Sequence, residues 1–89
     1  MDETERIKYN ILSSPLKKLI LEELDQKPQT ASYMAKEKQK HRASISRAFR
    51  ELKEIGLIRC KNEWLHRFRF YSITEKGKNI LQKIKEMEE

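Results

Sequence analysis

Five side chains between positions 42 and 50 share one chemistry: Arg42, Ser44, Ser46, Arg47 and Arg50. Arginine presents a planar fork of donors that fits a guanine edge or a phosphate, and serine can bond to either a base or a phosphate. On a helix with Ile45 at the centre of its inner face, Ala48, Phe49 and Leu52 lie beside it. Arg47, Arg50 and Ala43 then point the opposite way, with the two serines flanking them. The plainer alternative is that both arginines merely solvate the helix and pair with Glu51 or Glu54. Lys38 and Lys40 stand just upstream and add two cations. A second basic set follows at Arg59, Lys61, His66, Arg67 and Arg69. The expected chemistry is the binding of a polyanion, with Lys38, Lys40, Arg42, Ser44, Ser46, Arg47, Arg50, Arg67 and Arg69 as its donors.

The charge distribution agrees. The net charge is +6 over 89 residues, but it is not spread evenly. Residues 1–25 carry four basic and six acidic side chains, whereas 36–53 carry seven basic and two acidic. Residues 57–71 carry four basic and one acidic, and in 72–89 the charges cancel. A central basic stripe between neutral or acidic ends attracts phosphates and releases counterions on contact. Other functions find little support. No nucleophile, base and orienting group occur together, and no glycine-rich phosphate loop is present, so an enzyme is not expected. The single cysteine, Cys60, and the well-separated His41 and His66 suggest neither a disulfide nor a metal site, and no cofactor is implied. Cys60 reads as a small buried hydrophobe. No apolar run approaches the roughly 20 residues of a spanning helix. The acidic start is unlike a secretory signal, and a cytoplasmic protein is expected.

The elements that must position these donors can be read in order. Thr4 to Leu12, with Ile7, Ile11 and Leu12, reads as helical. Ser14-Pro15 opens a helix to about Asp25 that carries Leu16, Leu19, Ile20 and Leu24, and Lys27-Pro28 ends it. Thr30 caps a short helix to about Glu37, with Tyr33, Met34 and Ala35 as buried candidates. A further helix runs from about Arg42 to Ile55 and stops at Gly56. Leu57 to Lys61 and Arg67 to Ile73 read as strands of a hairpin joined by Asn62 to His66. Thr74 caps a last helix with Ile80, Leu81, Ile84 and Met87 as its stripe, and Gly77 is tolerated in its first turn. The fold class is mainly α with a small β-hairpin (α+β): helix, helix, helix, strand, strand, helix, after an extra N-terminal helical segment. That order predicts a winged helix-turn-helix as one domain over 1–89. Its parts are an N-terminal segment (1–13), the helix-turn-helix (30–55), the wing (57–73) and the C-terminal helix (74–88).

Three stretches also resemble a family. Met34-Ala35-Lys36-Glu37 is similar to the end of the first motif helix of the ArsR and MarR-like transcriptional regulators. Ser44-Ile45-Ser46-Arg47-Ala48-Phe49-Arg50-Glu51-Leu52 resembles their recognition helix, and Gly56-Leu57-Ile58 its turn into the wing. Arg69-Phe70-Tyr71-Ser72-Ile73-Thr74-Glu75-Lys76-Gly77 resembles the return strand of the wing and the helix after it. The resemblance covers Ser14 to about Leu81. It implies a sequence-specific regulator of double-stranded DNA, with the recognition helix in the major groove and the wing on the backbone or in the minor groove. The families usually have a glycine in the turn between the motif helices; here Lys38-Gln39-Lys40 stands there. The competing readings are a protein–protein module of a larger assembly and an RNA-binding winged helix.

The resemblance further implies a two-fold homodimer. Two apolar stripes away from the basic blocks are candidates for its interface: Ile7, Ile11 and Leu12 at one end, and Ile80, Leu81, Ile84 and Met87 at the other. In the wing, Tyr71 and Ile73 share one strand face while Phe68 and Phe70 share the other. The two phenylalanines therefore need a cover, either residues 4–12 or a partner subunit. Trp64-Leu65 at the tip is expected to fold back onto the sheet or the N-terminal segment, with a dimer contact or a nucleic-acid contact as alternatives.

Overall fold

Short polar side chains set where the helices begin. Asp2, Ser14 and Thr30 each stand in extended backbone, and each accepts a hydrogen bond from the N–H three residues on: Glu5 at 2.8 Å, Lys17 at 3.3 Å and Tyr33 at 3.0 Å. A computed structural model of the chain describes residues 2–88. In it these caps open α1 (Glu3–Leu12), α2 (Pro15–Gln26) and α3 (Ala31–Glu37). Then follow α4 (Arg42–Glu54), β1 (Ile58–Cys60), β2 (Tyr71–Ile73) and α5 (Glu75–Glu88). Thr74 caps α5: its Oγ1 accepts from Gly77 N at 3.1 Å and donates to Gly56 O at 2.7 Å. One hydroxyl thus joins the start of α5 to the turn after α4. The order of elements is the expected one, mainly helical with a hairpin between α4 and α5.

β1 and β2 pair antiparallel, with Ile58 opposite Ile73, Arg59 opposite Ser72 and Cys60 opposite Tyr71. Both strands are shorter than the sequence suggests. The backbone pairing gives way because Asn62 intervenes: its Oδ1 accepts from Phe70 N at 2.8 Å, and its Nδ2 donates to Phe68 O at 3.1 Å. Phe68 also has φ +57, outside the range of a strand. An unforeseen rung lies at the other side of β2. Gln29, between α2 and α3, donates its N–H to Tyr71 O at 3.1 Å and accepts from Tyr71 N at 2.9 Å. Gln29 is only 3% exposed, and its Nε2 donates to Glu23 O at 2.9 Å, so its buried amide has a partner.

One core serves every helix. Ile11, Ile20, Leu21, Met34, Ile45, Phe49, Leu52, Leu57, Ile58 and Ile84 are its fully buried members. Tyr71 meets Phe49 edge to face, with ring centroids 5.0 Å apart. Tyr33 departs from expectation at 44% exposed. A seven-residue helix turns one narrow face inward, and Met34 and Ala35 occupy it. Tyr33 lies instead under the Lys27 ammonium, 5.1 Å from the ring centroid. Gly77 is required rather than tolerated. A Cβ there would come within 2.2 Å of Leu57 O and 2.7 Å of Ile73 Cγ1, because α5 starts against the backbone entering β1.

The apolar stripes at the chain ends do not stand open. Ile7, Ile11, Ile80, Leu81 and Ile84 are all buried in this same core, and Leu12 packs half-buried against it. α1 and α5 contact each other and both contact α2. Lys76 Nζ holds Glu3 Oε1 at 3.0 Å, and Lys18 pairs with Glu88. Six of the seven residues expected at a partner-facing surface thus cover one another within one chain. Met87 alone of the set is exposed, at 52%. No helix among the described residues is long and apolar enough to cross a membrane.

Candidate nucleic-acid interface

The angle between α3 and α4 is set by their turn. Lys40 N donates to Ala35 O at 2.9 Å and Gln39 N to Lys36 O at 3.3 Å. This is the paired bonding of a Schellman cap, which puts its central residue in the left-handed region. Gln39 has φ +52 and therefore takes the conformation a glycine would adopt without strain. The same cap recurs after α4, with Leu57 N on Leu52 O at 3.0 Å, Gly56 N on Lys53 O at 3.0 Å, and Gly56 at φ +83. The turn keeps its geometry although its glycine is missing. Ala35, buried against α4, is small enough to let the two helices approach.

α4 then divides cleanly. Ile45, Ala48, Phe49 and Leu52 are buried. Arg42, Ala43, Ser44, Ser46, Arg47 and Arg50 are exposed. The carboxylate nearest the arginines is already engaged, since Glu51 Oε2 sits 2.9 Å from Lys17 Nζ. That hydrogen bond and charge hold the Glu51 carboxyl below the usual carboxylate range, with Arg47 and Arg50 adding smaller pulls. Among the described residues, no ion pair involves Arg42, Arg47 or Arg50. Self-pairing with Glu51 or Glu54 is therefore not what these arginines do. His41, before α4, makes no side-chain capping bond, so its side chain leaves the first N–H groups of the helix without a cap.

The remaining donors separate into two kinds. Lys40 and Arg67 are exposed and also lack ion pairs among the described residues. Lys38 and Arg69 are engaged within the chain. Lys38 Nζ lies 3.2 Å from Glu23 Oε2. Arg69 donates Nε to Leu65 O at 2.6 Å and Nη2 to Glu63 O at 3.2 Å, closing the wing loop around its guanidinium. Lys53 Nζ, 2.9 Å from Glu63 Oε1, ties that loop to the end of α4. The contact lowers the Glu63 carboxyl and raises the Lys53 ammonium from their ordinary ranges.

The fold brings the two basic blocks together at one place. A groove of about 510 Å³ between the starts of α3 and α4 and the wing is lined by Arg42, His66, Arg67 and Arg69, with Thr30, Ser32, Phe68 and Tyr71 among its walls. On the far side of Phe68 lies an apolar hollow of about 530 Å³ against Pro28, Tyr33 and Phe70. Neither α1 nor any other element fully covers the two phenylalanines: Phe68 is 76% exposed and Phe70 45%. Trp64, expected to pack, stands 78% exposed. The three-residue strands leave no sheet beneath it, and α1 is engaged with α2 and α5. Cys60 is half-buried with Sγ 3.7 Å from Asn62 Oδ1. No cluster of three or more potential metal ligands occurs among the described residues. The exposed aromatics were visible in the sequence only as a strand face without a cover.

No protein-family model matches the chain, and no curated protein does. Solved structures do. The chain is similar to a MarR family transcription regulator with a TM-score of 0.76 and 30% identity, covering 96% of this chain and 58% of that one. It is also similar to the adhesin competence repressor AdcR of Streptococcus pyogenes, with a TM-score of 0.71 and 18% identity, covering 98% of this chain and 74% of that one. The chain thus spans 58% of the length of the first of these relatives.

Proposed function

The fold is a winged helix-turn-helix like that of MarR-type regulators, and from that premise we propose that the chain is a sequence-specific, double-stranded-DNA-binding transcriptional regulator that acts as a homodimer in the cytoplasm. A fold alone does not dictate its use. The observation that carries the reading is on α4: Arg47 and Arg50 stand exposed on its outer face and, among the described residues, have no carboxylate partner. Two unneutralised guanidinium groups on a rigid helix suit base edges and phosphates, and they suit a protein partner only if it is acidic. In this reading α4 enters the major groove. Arg42, Ser44 and Ser46 touch bases or phosphates at its start, while Lys40 and Arg67 meet the backbone or the minor groove. Lys38 and Arg69 contribute mainly by holding the turn and the wing in shape. The role is one of binding, not catalysis.

Affinity measured across a salt series on a labelled DNA duplex, beside an RNA duplex of matched sequence, tests this. Binding to DNA is expected to weaken steeply, with each neutralised phosphate adding about 0.9 to the log–log slope. A flat response, or no DNA binding at low salt, overturns the proposal. Tighter binding to RNA would replace it with the RNA reading.

A further inference from the structure

We propose that Phe68 is a wedge that enters a base step of duplex DNA and kinks it, a role that rests on the duplex-binding reading above. The ring is 76% exposed although an apolar hollow lies beside it, lined by Pro28, Tyr33 and Phe70. It borders that hollow without closing it. Its backbone stands at φ +57, a conformation a bulky residue rarely holds. The conformation is imposed from outside, because Asn62 receives Phe70 N at 2.8 Å and donates to Phe68 O at 3.1 Å. The backbone that carries the exposed ring is therefore fixed by hydrogen bonds on both sides of it. Strain maintained by its surroundings is a mark of function.

The neighbours of the ring identify its partner. On its other side Phe68 shares the groove lined by Arg42, His66, Arg67 and Arg69, and no carboxylate lines that groove. Arginines that line a groove without a carboxylate beside them call for an anionic partner. DNA supplies both halves of the complement: phosphates for the Arg42 and Arg67 guanidinium groups and base faces for the ring. Arg42 is the first residue of α4, so the groove adjoins the start of the helix proposed to bind DNA. Apolar wedges set among cations unstack a step from the minor-groove side and kink the duplex by roughly 20–90°.

The test uses A·T-rich duplexes carrying 2-aminopurine at single steps and a donor–acceptor pair at their ends. With the wild-type chain, 2-aminopurine fluorescence should rise at a defined step and end-to-end energy transfer should increase. Phe68→Gly should bind with an unchanged salt slope but roughly tenfold more weakly, and without either optical signal. The same variant should unfold at a higher denaturant concentration, because glycine relieves the left-handed strain, so its weaker binding cannot be a folding defect. Phe68→Leu, still apolar, should keep the kink. Salt-sensitive binding to a duplex that stays straight and stacked would overturn the wedge and leave the proposed function standing. So would a Phe68→Gly chain that kinks DNA like the wild type. Concentration-dependent self-association that Phe68→Gly abolishes without DNA would give the ring to a second copy and overturn the wedge as well. Absence of any duplex binding would remove the proposed function and the wedge together.

Discussion

Arg47 owes its open state to a lysine on another helix. By holding Glu51 at 2.9 Å, Lys17 takes up the carboxylate four residues beyond Arg47, the spacing at which helix ion pairs form. Arg47 and Arg50, neither in an ion pair among the described residues, stay available to a ligand. If they read bases, Arg47→Ala or Arg50→Ala should cost about 1–3 kcal/mol in duplex binding and relax sequence preference. Arg67→Ala should weaken binding to all sequences more evenly. Fluorescence anisotropy against a panel of duplexes would separate the two patterns. Folded helix variants that bind like the wild type would move the recognition surface elsewhere. The outward set on α4 was legible from the spacing of Ile45, Ala48, Phe49 and Leu52, since a buried stripe fixes the opposite face. The fate of Glu51 was not, because its partner comes from α2 and only the folded chain brings them together.

At the level of elements, the ends of α3 and α4 form a comparison within one chain. Both close with the same cap, one around Gly56 and one around Gln39. A non-glycine residue in the left-handed region costs about 1–2 kcal/mol, part of which glycine returns through its greater entropy when unfolded. Gln39→Gly should accordingly stabilise the domain by about 0.5–1 kcal/mol, read as a higher midpoint in urea at unchanged slope. An unaltered or lower midpoint would mean that the glutamine side chain compensates for its own backbone. Helices were legible in this sequence because their caps, stripes and stops are local signals. The wing was legible only as a hairpin. Its shape depends on the Asn62 side chain standing in for a backbone rung and on Arg69 closing the loop, and neither arrangement has a signature in periodicity. Gly77 shows the same limit, since its need comes from the Leu57 carbonyl across the fold.

For the molecule as a whole, the open matter is association. The apolar stripes of α1 and α5 were plain in the sequence, but periodicity says that a face is buried, not against what. In the structure they fill one chain's own core. Ile84→Glu would therefore report on folding, with a charge placed in a fully buried site. Met87, half exposed near the end of α5, is the informative position. If two copies pair through the chain ends, the wild type should sediment as a dimer at tens of micromolar, and Met87→Glu should shift it toward monomer while leaving the thermal midpoint nearly unchanged. A wild type that is already monomeric at that concentration would exclude the dimer. The rung between Gln29 and Tyr71 bears on how such a small molecule comes apart. Strands of three residues would be marginal as a free hairpin in water. Here β2 is flanked on both edges, by β1 and by the link between the first two core helices. The Tyr71 ring is pressed to Phe49 at the centre of α4. The base of the wing therefore has no private melting step: its amides can exchange with solvent only when the helices around them also let go, and the wing and the recognition helix form a single cooperative unit.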